Sequence, residues 1–212
     1  MAVGTLPEAP TKQPSVLNLP NLLTISRLVL AVVFFAFLAA HWFKTSFALF
    51  VVAASTDWLD GYLARRRGET TTLGRILDPF VDKVIVLGAF IFLLPIAESA
   101  VTAWMVTVVV ARELLVTGLR SYLEGESVAF GADWFGKIKM VVQCVAIGVV
   151  LFHLGVLRSP IASGWSLWGW SPEQWGGDLR TAVVWAAVVV TALSGVAYAW
   201  RAARLIRERN WA

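Results

Sequence analysis

Six apolar segments dominate the sequence, and each is close to the roughly 20 residues that carry a helix across a bilayer. They lie at approximately 22–41, 45–64, 79–97, 100–119, 137–157 and 181–200. Segments of this length are too long for core strands, so helices are predicted. Of the residues, 58% are hydrophobic and 15% are charged, whereas soluble domains are about 25% charged. The sequence therefore predicts an all-α integral membrane protein with six transmembrane helices.

The distribution of basic residues predicts the orientation of these helices. If both termini are cytoplasmic, all but Lys44, Arg158 and Arg180 of the eighteen lysines and arginines fall on the cytoplasmic side, as positively charged loops usually do. We expect residues 1–19 to form a flexible or amphipathic segment, 20–204 a six-helix domain and 205–212 a basic cytoplasmic tail. The Trp-rich stretch 163–178 is expected to be a loop in a headgroup layer. We therefore expect a multi-pass protein of the cell inner membrane, with Asp57, Asp60, Asp78 and Asp82 near the cytoplasmic face.

Four aspartates stand at the edges of two apolar segments, where a lone charge would be costly. Asp57 and Asp60 are three residues apart, and Asp78 and Asp82 are four apart, so each pair shares one face of a helix. If the two faces meet, the carboxylates repel one another, and raised pKa values or bound cations are the available remedies. Oxygen ligands alone favour a hard cation such as Mg²⁺ or Mn²⁺.

Small residues and arginines surround these aspartates. Gly61, Ala64 and Gly74 leave room for a bulky group to approach the backbone, and arginines such as Arg65 and Arg75 lie close by in the sequence. Carboxylates, divalent cations, arginines and small residues together favour a pyrophosphate-binding site over helix caps or isolated surface charges.

The same residues spell D-x-x-D-G-x-x-A-R-x8-G-x-x-x-D-x-x-x-D, from Asp57 to Asp82. This pattern resembles the signature of the CDP-alcohol phosphatidyltransferases. The resemblance implies six transmembrane helices, two Mg²⁺ or Mn²⁺ ions and a homodimer. The stretches 18–28 and 111–143 are similar to the phosphatidylglycerophosphate synthase branch of that family. For that branch the implied reaction is CDP-diacylglycerol plus sn-glycerol 3-phosphate giving phosphatidylglycerophosphate and CMP.

The resemblance also implies roles for individual residues. Asp57, Asp60 and Asp78 would bind the first metal, Asp78 and Asp82 would contribute to the second, and Asp82 would act as the base. The CDP moiety would be held by Gly61, Ala64, Arg65, Thr71 and Gly74, with Asn21 and Thr24 as further candidates.

The phosphate of the acceptor needs cations of its own. Arg112, Arg120, Lys137 and Lys139 lie at the expected cytoplasmic ends of the fourth and fifth helices, and we predict that they bind it. The alternative is that they anchor the helices at the interface by extending to lipid headgroups. Lipid and phosphate-bearing substrates, and no nucleic acid, are the partners expected for this positive charge.

Two other functions remain open at this point. A synthase of the same family could use another acceptor, such as inositol phosphate or phosphatidylglycerol, because the motif covers only the donor and the metals. A divalent-cation transporter would also place carboxylates inside a helix bundle. It would need polar groups at mid-membrane, and helices one, four, five and six are expected to lack acidic residues there.

Overall fold

The computed structural model describes residues 19–67, 72–126, 134–157 and 172–209, and these residues are almost entirely helical. The described part contains six α-helices: α1 (Leu19–Ala39), α2 (Phe43–Arg67), α3 (Thr72–Leu93), α4 (Ala103–Gly125), α5 (Trp134–Leu157) and α6 (Pro172–Arg209). A short 3-10 helix, Ala97–Ser99, lies between α3 and α4. The prediction of an all-α protein is confirmed. Six membrane crossings and cytoplasmic termini stay predictions.

The boundaries of α3 differ from the predicted segment 79–97. The helix begins at Thr72, so that Gly74 and Asp78 are helical, and it ends at Leu93. The end is explained by Pro95, because a proline disfavours helical geometry in the residue before it. The 3-10 helix Ala97–Ser99 then follows, mostly between the two predicted segments 79–97 and 100–119.

The sixth helix is much longer than the predicted segment 181–200. It begins at Pro172, a residue well suited to the first helical position, and continues to Arg209 over 38 residues. The prediction of a loop over 163–178 is therefore wrong for residues 172–178, while 163–171 lie outside the described residues. Apolar character locates the part of a helix that suits lipid, but the helix itself continues beyond that part, on its C-terminal side through good helix formers such as Ala202 and Leu205.

The described helices pack around a large apolar core, and a smaller apolar cluster lies between α4 and α6. Helix α1 packs against α2 and α3, α5 packs against α2 and α6, and α4 packs against α6. Phe35 of α1 stacks on Phe92 of α3 with ring centroids 5.1 Å apart. This close approach depends on Gly88, where an added Cβ would lie 2.2 Å from the Phe35 ring.

The exterior of the bundle is also apolar. Many large hydrophobic side chains are exposed on the described helices, among them Val32, Leu114, Val141, Leu193 and Trp200. Within the described residues, two helical segments are long and apolar enough to cross a membrane, Trp134–Val156 and Gly176–Glu208. Shorter apolar helical segments cover Thr24–Ala39 and Phe43–Thr56. An all-helical fold with an apolar surface of this extent is that of a membrane protein.

Candidate active site

The residues of the motif lie at one end of the bundle. Helix α2 ends at Arg67 and α3 begins at Thr72, so only residues 68–71 separate the last turn of one helix from the first turn of the next. The helical backbone places Asp57 and Asp60 about one turn apart on α2, and Asp78 and Asp82 about one turn apart on α3. Both pairs therefore occupy the register that the motif predicted.

Several predicted site residues lie partly or wholly outside the described residues. Thr71 lies outside the described residues, and the side chains of the following residues do too: Asn21, Asp57, Asp60, Gly61, Ala64, Arg65, Gly74 and Asp78. Among the side chains that the structure describes, no group of three or more His, Cys, Asp and Glu could hold a metal ion. The donor set itself, four carboxylates carried as two one-turn pairs, fits a hard divalent cation.

Asp82 is the predicted metal ligand whose side chain the structure describes. The guanidinium of Arg27, on α1, donates from Nη2 to Asp82 Oδ1. Arg27 is 3% exposed, whereas the Asp82 side chain is 26% exposed. Thr24, predicted as a contact for the CDP moiety, is buried one turn before Arg27 on the same helix. Helix α1 thus contributes a buried cation to the site that the motif alone did not reveal.

Asp82 borders a cavity of about 660 Å³ between α3, α4, α5 and α6. The cavity is also lined by the four cations predicted to bind the acceptor phosphate, which are Arg112, Arg120, Lys137 and Lys139. Lys83 lines it as well. The structure therefore brings the predicted base and the predicted phosphate-binding cations, from three separate helices, to one space.

Arg112 is the most constrained of these cations. It is 8% exposed, and its Nε donates to Ser194 Oγ at 2.9 Å. Its Nη1 donates to Glu113 Oε1 at 3.0 Å, and its guanidinium carbon lies 5.5 Å from the ring centroid of Tyr198. Within this network, Nη2 of Arg112 donates no hydrogen bond to a described residue.

Glu113 joins α4 to α5. Its Oε1 accepts from Lys139 Nζ as well as from Arg112, and all three residues are less than 10% exposed. Glu113 lies near the middle of α4, so the expectation that this helix carries no acidic residue there is wrong. Because two cations meet its charge, Glu113 is a poor candidate for a site on a cation pathway.

Arg120, Lys137 and Lys83 make fewer contacts in the cavity than Arg112 does. Arg120 donates from Nη2 to the Tyr198 hydroxyl at 3.3 Å, and its buried Nε has no hydrogen-bond partner among the described residues. Lys137 Nζ lies 5.8 Å from the ring centroid of Trp134. Lys83 Nζ donates to Thr117 Oγ1 at 2.6 Å. Arg120 Nε is therefore an unsatisfied donor, and neither lysine ammonium group meets a carboxylate in these contacts. Such groups suit an anionic ligand.

Sequence reasoning missed four residues of this site: Arg27, Lys83, Ser194 and Tyr198. Lys83 directly follows Asp82 and could have been found by its position one residue from the motif. Arg27 is a charge inside an apolar segment, which is itself a signal of function. Ser194 and Tyr198 gave no signal, because small polar and aromatic residues are common inside membrane helices.

Comparison with known proteins agrees with the signature. A family model described as CDP-alcohol phosphatidyltransferase matches residues 17–193. The chain is 36% identical to the CDP-diacylglycerol–glycerol-3-phosphate 3-phosphatidyltransferase of Bacillus subtilis (strain 168) over 151 residues, which cover 64% of this chain and 77% of the relative. It is 33% identical to the enzyme of the same name from Escherichia coli (strain K12) over 190 residues, which cover 85% and 92%. The chain therefore belongs to the CDP-alcohol phosphatidyltransferase family.

Proposed function

We propose that the protein transfers the phosphatidyl group of CDP-diacylglycerol to sn-glycerol 3-phosphate, giving phosphatidylglycerophosphate and CMP. The observation that carries this proposal is the cavity that unites Asp82 with Arg112, Arg120, Lys137 and Lys139. The names of the relatives in Bacillus subtilis and Escherichia coli support the same donor and acceptor.

At the phosphorus atom, the reaction forms one P–O bond and breaks another. A hydroxyl oxygen of glycerol 3-phosphate attacks the phosphorus that carries diacylglycerol, and the bond from that phosphorus to the oxygen of CMP breaks. The hydroxyl proton passes to Asp82, because a neutral alcohol is a weak nucleophile and a carboxylate within reach accelerates its attack. Arg27 holds the Asp82 carboxylate at the edge of the cavity.

Charge neutralisation of the pyrophosphate is assigned to two Mg²⁺ or Mn²⁺ ions, which Asp57, Asp60, Asp78 and Asp82 would hold. Gly61, Ala64, Arg65, Thr71 and Gly74 would hold the CDP moiety, together with Asn21 and Thr24. These assignments rest on the motif and its helical register.

The acceptor phosphate occupies the cationic part of the cavity in this proposal. A dianionic phosphate accepts charge-assisted and often bidentate bonds from arginine. Arg112 Nη2 and the orphaned Arg120 Nε, both on α4, supply such donors, and Lys137 adds a positive charge from α5. Glycerol 3-phosphate has both the phosphate and a free hydroxyl that this arrangement requires.

The membrane arrangement completes the proposal. All six helices would cross the cell inner membrane, with both termini and the cavity on the cytoplasmic side, where water-soluble acceptor and CMP exchange freely. The even number of α-helices among the described residues and the exposed Arg201, Arg204 and Arg207 at the end of α6 support this orientation. A homodimer is proposed from the family resemblance.

The test is an acceptor panel. Purified protein is incubated with CDP-diacylglycerol, a divalent cation and one labelled acceptor at a time: glycerol 3-phosphate, inositol phosphate, phosphatidylglycerol, free glycerol or free inositol. CMP release and the labelled lipid are both measured. We expect product with glycerol 3-phosphate only. Product with another acceptor would reassign the substrate, and cation flux through proteoliposomes without any CMP release would favour a transporter.

A further inference from the structure

Two arginines from different turns of α4 meet the same side chain of α6. Tyr198 is 1% exposed; its hydroxyl accepts a hydrogen bond from Arg120 Nη2, and its ring lies beside the guanidinium of Arg112. A cation beside an aromatic ring and a phenol oxygen as acceptor are both favourable, and both are specific in direction. One tyrosine therefore restrains both arginines of the cavity.

The turn of α6 before Tyr198 restrains Arg112 a second time. Ser194 Oγ accepts from Arg112 Nε and donates to the carbonyl oxygen of Thr191. Gly195 allows this approach, since an added Cβ would lie 3.0 Å from Arg112 Cγ. Thr191 in turn accepts from Gln143 of α5. The arginine is thus tied to a buried chain of hydrogen bonds that crosses two helices.

We propose that Ser194 and Tyr198 are positioning residues, through which α6 orients Arg112 and Arg120 to bind the acceptor phosphate. The inference rests on the proposed function. It goes beyond the signature, because the family match ends at residue 193 and the four aspartates lie on other helices. Neither residue is proposed to touch the reacting atoms.

The physical reason is preorganisation. A free arginine side chain loses rotamer entropy when it is fixed, and a guanidinium already held in place binds its ligand without that loss. Ser194 restrains Nε of Arg112, and Tyr198 restrains Nη2 of Arg120. They leave other guanidinium nitrogens for the bidentate contacts that a phosphate accepts.

The experiment compares Tyr198→Phe and Ser194→Ala with matched controls. Tyr122→Phe removes a hydroxyl from an exposed tyrosine of α4, and Ser46→Ala removes one from a buried serine of α2 that donates to a backbone carbonyl. Steady-state kinetics give KM for each substrate and kcat. Thermal stabilisation by glycerol 3-phosphate alone gives binding without turnover.

We expect each α6 variant to raise KM for glycerol 3-phosphate by about three- to tenfold, as loss of about one hydrogen bond implies. The KM for CDP-diacylglycerol and the melting temperature without ligand should stay within about twofold and 2 °C of wild type. Stabilisation by glycerol 3-phosphate should weaken in the same variants. The two controls should leave all of these values unchanged.

A double-mutant cycle shows whether Tyr198 acts through Arg120. In an Arg120→Ala background, Tyr198→Phe should cause no further rise in acceptor KM, because the positioned group is gone. Wild-type acceptor KM in both α6 variants, or equal rises in KM for both substrates, would overturn the inference. If the wild-type protein itself neither uses nor binds glycerol 3-phosphate, the proposed function fails, and the inference fails with it.

Discussion

Replacing Glu113 by glutamine should destabilise the bundle strongly. Glutamine has nearly the same size, but it removes the negative charge that meets Arg112 at 3.0 Å and also meets Lys139. Both cations are less than 10% exposed and would lose their only carboxylate in this network. The amide also brings a donor group toward two other donors.

The magnitude follows from the geometry. At 3.0 Å and an effective dielectric constant of about 20, one pair of unit charges attracts by about 5 kcal/mol. Removing one partner of a buried ion pair costs about 3–5 kcal/mol in practice. Because Glu113 borders a cavity, where water screens part of the charge, we expect a loss of about 3 kcal/mol in the free energy of unfolding.

The assay is SDS titration of the purified protein in mixed micelles, with helix content followed by circular dichroism. Glu208→Gln is the matched control, because Glu208 accepts from Arg204 at 2.8 Å in a pair whose side chains are 57% and 75% exposed. Such exposed pairs contribute little to stability, because water screens both charges. The double variant Glu113→Gln/Lys139→Met should recover about 1–2 kcal/mol, since it removes one of the two stranded cations.

Two results would refute this reasoning. If Glu113→Gln unfolds at the same SDS fraction as Glu208→Gln, the buried cations do not depend on the carboxylate. If the additional Lys139→Met substitution lowers stability further, Lys139 contributes packing rather than an uncompensated charge.

Three substitutions and one ligand removal extend the test to the rest of the site. Excess EDTA should abolish CMP release, because the four motif carboxylates are proposed to act through divalent cations; full turnover in EDTA would contradict the two-metal proposal. Asp82→Asn should abolish turnover while CDP-diacylglycerol binding is largely retained, and a near wild-type kcat would reassign the base. Arg112→Lys should raise KM for glycerol 3-phosphate about ten- to a hundredfold, as loss of a bidentate charged bond implies; an unchanged acceptor KM would make Arg112 an interfacial anchor. Gly88→Ala should lower stability by about 1–3 kcal/mol, because its Cβ would overlap the Phe35 ring, and wild-type stability would show that the ring moves without cost.

Each substitution has a matched control on the same chain. Asp178→Asn and Arg201→Lys change exposed residues of α6 outside the cavity, and neither should alter kcat or KM. Gly118→Ala places a methyl group where no heavy atom lies within 4 Å. It should leave stability unchanged or raise it slightly, because alanine is the better helix former.

The sequence predicted the helices well because each apolar segment is a local signal. Their ends were less predictable: α3 begins seven residues before the apolar segment, and α6 extends beyond it on both sides. Hydropathy measures the compatibility of a segment with lipid. The end of a helix depends instead on the backbone, for example on a proline that cannot continue the helix.

The site was predictable where it depended on spacing and not where it depended on packing. Asp82 and the four cations were identified from residue type and position, and the structure places all five around one cavity. The contacts of Arg112 with Ser194 and of Arg120 with Tyr198 join residues 82 and 78 positions apart. No local pattern encodes which turns of two distant helices will meet, so these partners required the structure.

The bridge from Glu113 to Lys139 has a consequence for the segment that connects α4 to α5. Helix α4 ends at Gly125 and α5 begins at Trp134, and α6 packs against both helices. Their separation at the cavity is therefore held by side-chain chemistry and by a third helix. Lengthening a connection costs only about 0.6 kcal/mol for each doubling. Insertions of a few polar residues between positions 127 and 133 should accordingly leave the width of the cavity, and the choice of acceptor, as they are.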